Sequence, residues 1–137
     1  MKVPGTVVVV TGAASGLGLA TARRFMRDGA LVMMVDRAEA VLREAASSLG
    51  GNARIGVADV TDEAAMQAVF QAAAVPGPVR ALVHCAGRVG GARILDKSGM
   101  PASLADYEAI VRVNLVGSFN ALRLAAACMK DNEPIDG

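Results

Sequence analysis

Apolar residues in this chain fall into short unbroken runs, separated by longer stretches in which they recur every three or four positions. Residues 6–10 form a continuous β-branched run, residues 31–35 and 81–83 repeat its character, and residues 54–58 are a weaker member of the set. Runs of this length without polar alternation predict parallel strands covered on both faces. Between them, residues 16–28, 38–49 and 62–74 are alanine-rich and of helical length. They are closed by the turn signals Asp28-Gly29, Gly50-Gly51 and Pro76-Gly77-Pro78. Strand and helix therefore alternate, which predicts an open α/β layer: a doubly wound parallel sheet with right-handed crossovers and helices on both faces.

After the fourth strand the texture changes. Residues 87–103 are rich in glycine and contain one proline, a long irregular loop of the kind that carries function rather than packing. Ser103 offers an N-cap with Asp106 three residues on, and a helical segment runs from there to about Lys130. Its second half is apolar nearly all round. Leu115, Val116, Phe119, Leu122, Leu124, Ala125, Ala126 and Met129 leave Ser118, Asn120 and Arg123 as the solvent candidates, so this helix expects cover on more than one side. Residues 131–137 are polar and read as a loop.

Length and composition narrow the function. With 137 residues the chain suits one domain with one core. Fourteen Lys and Arg against thirteen Asp and Glu leave a net charge of +1, too weak a field to gather nucleic acid or an anionic membrane surface. Hydrophobic residues reach 53% with only 3% aromatic, so Ala and Val dominate, as in helices packed closely on a sheet. No apolar run approaches the roughly 20 residues of a membrane span, which predicts a cytoplasmic protein. Cys85 and Cys128 form no Cys-x-x-Cys pair, which fits a reducing compartment, and with one histidine the ligands are too few for zinc.

The chemistry is concentrated at residues 11–18, which read TGAASGLG directly after the first strand run. Gly12, Gly16 and Gly18 lie between a buried strand and an amphipathic helix, the context in which a glycine pattern points to a nucleotide. The first glycine permits the sharp turn, the next lets a pyrophosphate approach the backbone, and the last lets helix and strand pack closely. The helix N-terminus then offers unpaired N–H groups and partial positive charge. Asp36 ends the second strand eighteen residues beyond Gly18, near the spacing at which an acid accepts hydrogen bonds from the adenosine ribose. A carboxylate there repels a 2′-phosphate, which favours NAD over NADP. Arg37 beside it could pair with such a phosphate, or be a solvated surface charge. Together these features predict a Rossmann-like fold.

TGAASGLG resembles the Thr-Gly-x-x-x-Gly-x-Gly cofactor motif of the short-chain dehydrogenase/reductase family. Asp59-Val60 is similar to that family's adenine-contacting Asp-hydrophobic pair, and His84-Cys85-Ala86-Gly87 to its Asn-Asn-Ala-Gly segment. Asn114, within Val113-Asn114-Leu115-Val116-Gly117, matches the Asn of its long helix after strand four. Phe119-Asn120-Ala121-Leu122-Arg123-Leu124 and Asn132-Glu133-Pro134 resemble most the 3-hydroxyacyl-CoA dehydrogenase subgroup.

The resemblance implies an NAD-dependent oxidoreductase that moves a hydride between a secondary alcohol and NAD. Gly12, Ser15, Gly16, Leu17, Gly18, Asp36, Asp59, Val60, Cys85, Ala86 and Gly87 would hold the cofactor, Asn114 would serve catalysis, and no metal would be needed. It also implies a homo-oligomer, commonly a tetramer, joined through the helix around residues 115–129. His84 replaces an Asn that helps hold the sheet in the family, and imidazole could keep that polar brace or serve as an acid/base. The family's catalytic Ser lies on a fifth strand and its Tyr-x-x-x-Lys on the next helix. Neither arrangement is found in these 137 residues, and Tyr107 is followed four positions on by Val111. The expectation is a cofactor-binding half, inactive alone, whose sheet stops after the helix following strand four. A nucleotide-binding module without catalysis is the alternative.

Overall fold

The computed structural model describes residues 3–51, 53–90 and 93–135. In chain order it forms β1 (Val7–Thr11), α1 (Gly16–Arg27), β2 (Leu31–Asp36), α2 (Glu39–Leu49), β3 (Ala53–Val57), α3 (Glu63–Ala73), β4 (Val79–His84) and α4 (Leu104–Val111). A π-helical segment (Arg112–Gly117) and α5 (Ser118–Met129) follow. The four strands are parallel, in the order β3-β2-β1-β4.

Strand geometry explains why β1 is valine throughout. Successive side chains point to opposite faces. Val7 and Val9 enter a core shared with Met66, Val69 and Phe70 of α3 and Ala121 and Ala125 of α5. Val8 and Val10 enter a second core with Ala22 of α1 and Leu42 and Ala45 of α2. None of the four valines is more than 3% exposed. Burial on this scale stabilises by about 1.5–3 kcal/mol per side chain. Helices on both faces of a parallel sheet are the doubly wound Rossmann-like arrangement that the alternation predicts.

Element ends differ from the sequence expectation where a partner strand sets them. β1 ends at Thr11 rather than residue 10, because Thr11 still pairs with Val35 on one side and His84 on the other. β4 runs from Val79 to His84 rather than over residues 81–83, since it pairs along the whole of β1; the register shifts between Val7 and Val8, where Arg80 is the extra residue. β3 begins one residue early and stops at Val57.

The larger correction concerns the helix expected over residues 103–130. Its start is as read: the Ser103 hydroxyl accepts from the Asp106 N–H at 3.2 Å. The helix is not uniform, however. A π turn interrupts it at residues 112–117, where the Ser118 hydroxyl donates to the Asn114 carbonyl at 2.6 Å. A π turn inserts one residue into the hydrogen-bond ladder, which apolar periodicity does not report. α4 buries none of its residues.

The preceding loop is irregular but ordered around Asp96, whose carboxylate accepts from the backbone N–H groups of Ser98 and Met100. Gly91 and Ala92 of that loop lie outside the described residues. The polar tail is non-helical through residue 135 and is tied to the start of β4. Asn132 Nδ2 donates to the Val79 carbonyl at 2.7 Å, and Arg80 to the Glu133 carbonyl at 2.5 Å. Asp136 and Gly137 lie outside the described residues.

Candidate functional site

β1 lies between β2 and β4, so the chain turns to one side of it for β2 and β3 and to the other for β4. At such a switch point the connections leaving the strand ends diverge and open a crevice. A cleft of about 320 Å³ occupies it, lined by Gly12, Ser15, Gly16, Leu17 and Gly18, by Val35, Asp36 and Arg37, by Ala58, Asp59 and Val60, and by Cys85, Ala86, Gly87, Arg88 and Val113. All eleven residues expected to hold a cofactor are among them. Asn114 is not; it borders an adjoining hollow with Arg88, Val89 and Ser118.

The glycines meet distinct demands. Gly12 and Gly16 have φ of +65° and +53°, a region that side chains with a Cβ rarely adopt. A Cβ on Gly12 would also stand 2.8 Å from the Ala86 nitrogen, so β1 and the end of β4 approach as closely as backbone allows. A Cβ on Gly18 would overlap the Gly12 carbonyl, which ties α1 against the turn. At Gly16 a Cβ would meet nothing within 4 Å, so there the backbone itself faces open space.

α1 opens differently from the other helices that start from a loop. Glu39, Glu63 and Asp106 stand in the first turns of α2, α3 and α4, whereas α1 has no acid there. Its N-cap Ser15 makes no side-chain capping bond, while Asp62 and Ser103 cap α3 and α4. The first N–H groups of α1 thus keep their positive end free toward the cleft, and an anion fits there.

Two carboxylates stand on the far side of the glycine turn. Asp36 accepts from the N–H groups of Ala14 at 3.2 Å and Ala38 at 3.0 Å, which holds it at the rim. Asp59 accepts from the Thr61 N–H at 2.9 Å and its hydroxyl at 2.7 Å. The Thr61 N–H foremost, against the opposing effect of burial, holds this carboxyl below its ordinary 3.8, with help from the Thr61 hydroxyl, Arg37 and Arg112. Arg37 lies 3.7 Å from Asp59 and is drawn toward that carboxylate.

Behind the Asp59 loop stands a residue that the sequence places in solvent. Asn120 is only 6% exposed; its Nδ2 donates to the Val60 carbonyl at 2.9 Å, and its Oδ1 accepts from Arg123. Arg123 in turn reaches Glu63 of α3 at 2.8 Å. An apolar-rich helix with one Asn invites the solvent reading, and only the packing of α5 against α3 reveals a buried carbonyl to be satisfied.

On the β4 side, the fully buried Thr11 hydroxyl accepts from the Cys85 and Ala86 N–H groups, each at 3.2 Å, and lies 2.8 Å from His84 Nδ1. His84 Nε2 lies 3.0 Å from the Ser118 hydroxyl. The histidine is thus a polar brace, and Ser118, expected in solvent, is its half-buried partner. Burial pushes the His84 pKa below 6.5. Asn114 is engaged twice by the backbone of Arg88, accepting from its N–H at 2.7 Å and donating to its carbonyl at 3.0 Å. Tyr107 is 64% exposed on α4, a surface aromatic.

Thr11, Val35, Ala58, Arg88, Val113, Ser118 and Asn120 border or brace the cleft without having been singled out for it. Thr11 had a signal, as the first letter of the glycine motif. The others come to the cleft through strand order and helix packing. Both cysteines are free, and burial pushes the Cys128 thiol up. Among the described residues no helix is long and apolar enough to cross a membrane, and no cluster of three His, Cys, Asp or Glu could hold a metal.

Comparison with known proteins places these features in context. The family model described as short chain dehydrogenase matches residues 6–134. The 3-hydroxyacyl-CoA dehydrogenase type-2 of Homo sapiens is 40% identical over 99% of the chain, and that of Rattus norvegicus 38% over 99%. A crystal structure of 3-hydroxyacyl-CoA dehydrogenase type-2 from Mycobacterium avium superposes with a TM-score of 0.89 at 34% identity, over 96% of this chain and 52% of that one. The chain spans about half the length of the curated relatives it matches, 53% of each.

Proposed function

The chain belongs to the short chain dehydrogenase family, and we propose that it is the NAD-binding part of a dehydrogenase acting on a secondary alcohol. The observation that carries this reading is the join of an acid-free helix N-terminus, two positive-φ glycines and the rim carboxylate of Asp36 in one cleft. Gly12, Ser15, Gly16, Leu17 and Gly18 would hold the pyrophosphate, with the free N–H groups of α1 facing its charge. Asp36, kept in place by the Ala14 and Ala38 N–H groups, would accept from the adenosine ribose hydroxyls. Asp59 and Val60 would border the adenine, and Cys85, Ala86 and Gly87 would support the nicotinamide side. When bound, the nicotinamide supplies the carbon that accepts or donates a hydride.

Arg37 supports NAD rather than NADP in so far as its guanidinium, 3.7 Å from Asp59, has a carboxylate of the cleft as its partner. Asn114 would hold the Arg88 backbone beside the reacting end, and its catalytic part is proposed on the family motif. The substrate class that fits the relatives' names is a 3-hydroxyacyl-CoA. The exposed apolar residues Leu115, Phe119 and Leu122 would form a homo-oligomer interface in the whole protein.

Equilibrium fluorescence titration with NADH and NADPH tests the reading. NADH should bind at least roughly tenfold more tightly, about 1.4 kcal/mol. Asp36→Ala should narrow that gap by weakening NADH and improving NADPH, since it removes an acceptor and a repulsive charge together. Equal affinities in the unmodified protein, or no binding of either nucleotide, would overturn it.

A further inference from the structure

We propose that His84 is a positioning residue: neutral and protonated on Nε2, it completes a one-way hydrogen-bond chain that holds the Cys85 and Ala86 backbone against the glycine turn. Protonation of the ring breaks that chain and weakens nucleotide binding. The consequence for binding rests on the function proposed above, while the hydrogen-bond chain stands on geometry alone.

The direction of every bond follows from one fixed point. The Asn114 carbonyl can only accept, so the Ser118 hydroxyl spends its single proton on it, at 2.6 Å. Toward His84 the same hydroxyl must therefore accept, and Nε2, 3.0 Å away, must carry a hydrogen. On the other side, the Thr11 hydroxyl oxygen already accepts from the Cys85 and Ala86 N–H groups, which occupy both of its lone pairs. Its own proton is then free for one acceptor, and Nδ1 lies 2.8 Å away. Neutral His84 with hydrogen on Nε2 alone satisfies every member.

A second proton has one place to go, on Nδ1. There it faces the Thr11 hydroxyl, whose lone pairs are taken and whose hydrogen points at it. Thr11 must turn away, and turning releases the Ala86 N–H, while the Cys85 N–H loses the hydroxyl and keeps the Thr11 carbonyl at 3.2 Å. These two residues line the cleft, and the Ala86 nitrogen is the atom that a Cβ on Gly12 would approach to 2.8 Å. A change at the ring is thus passed to the cleft floor through a single side chain.

The environment offers no charge to compensate. β1 presents Thr11 to the ring and the helical arm presents Ser118, which is itself held by the Asn114 carbonyl, all uncharged. Cys85 is the titratable neighbour along the chain. Burial is the sole cause acting on the ring, and it lowers the pKa. The sign follows: with a folded pKa below 6.5, the stabilising contribution of neutral His84 is fully present above pH 6.5 and is lost as pH falls through the lower value.

His84 is the one histidine of the chain, so its ring gives a single set of signals in long-range ¹H–¹⁵N NMR. The ligand-free protein should show the Nε2-protonated neutral form, a midpoint below 6.5, and Cys85 and Ala86 amide shifts that move with that midpoint. NAD affinity by calorimetry should fall by about tenfold one pH unit below the midpoint, as expected for one linked proton. His84→Asn, whose amide oxygen can accept from Thr11 in place of Nδ1 without titrating, should flatten the acid limb. An Nδ1-protonated ring, a midpoint at or above 6.5, or an acid limb retained in His84→Asn would each overturn the proposal. Absence of NAD binding at every pH would sink the nucleotide reading and its pH consequence, and the ring and amide signals would still judge the hydrogen-bond chain.

Discussion

The turn between β1 and α1 and the arm formed by α4, the π segment and α5 both border the cleft, yet they are made by different means. The turn is backbone against backbone, with Gly12 and Gly18 so close to their neighbours that no Cβ fits. The arm reaches the same cleft through side chains: Asn114 to Arg88, Asn120 to Val60 and Ser118 to His84. Backbone contacts of that closeness admit one geometry, whereas side-chain contacts reach out from a helix that also leaves Leu115, Phe119 and Leu122 uncovered. The first region should therefore fail sharply and the second by degrees.

The largest effect should come from adding one methyl group to the turn. Gly12→Ala meets the Ala86 nitrogen and a positive φ together, and should cost about 3 kcal/mol or more of unfolding free energy. Gly16→Ala has the positive φ but open space, and should cost only about 1–2 kcal/mol. Urea unfolding of the two variants checks the ranking, and equal losses would erase the distinction between close contact and strained dihedral.

A middle-sized effect belongs to the arm. Asn120→Leu leaves the Val60 carbonyl buried without its partner, which should cost about 1–3 kcal/mol by the same measurement. A neutral result would mean that water reaches this carbonyl and that Asn120 is not what holds the Asp59 loop.

The smallest change in monomer stability is expected at Phe119→Asp and Leu122→Asp, at 67% and 57% exposure, each within about 0.5 kcal/mol. Light scattering should nevertheless show weaker self-association, because a charge is placed on an apolar surface. Association unchanged by both substitutions would move the proposed interface elsewhere.

Most of the sheet and the first half of the cleft were legible along the chain, because local demands produced them. Valine at four successive positions reports burial on both faces, and glycine at 12, 16 and 18 reports a turn that other residues would strain. The arm was less legible. Asn120 and Ser118 read as solvent residues because a hydrogen-bond partner from β3, β4 or the loops beyond them leaves no mark on helical periodicity. His84 could be recognised as a replaced brace, but its two partners stand 73 residues before it and 34 after.

What the sequence determined by itself is therefore the four strands, the helices between them and the glycine turn with its acid, all of which depend on residues near one another in the chain. Only the tertiary structure decided that β4 returns beside β1, which brings Thr11, His84 and Ala86 together and opens the cleft between them. It also decided that the arm enters a π turn and presses Gly117 and Asn120 against Val60. The physical reason is that local pattern records how much a residue wants to be buried, whereas which polar groups meet inside depends on strand order and helix packing, and these bring together residues far apart in the chain.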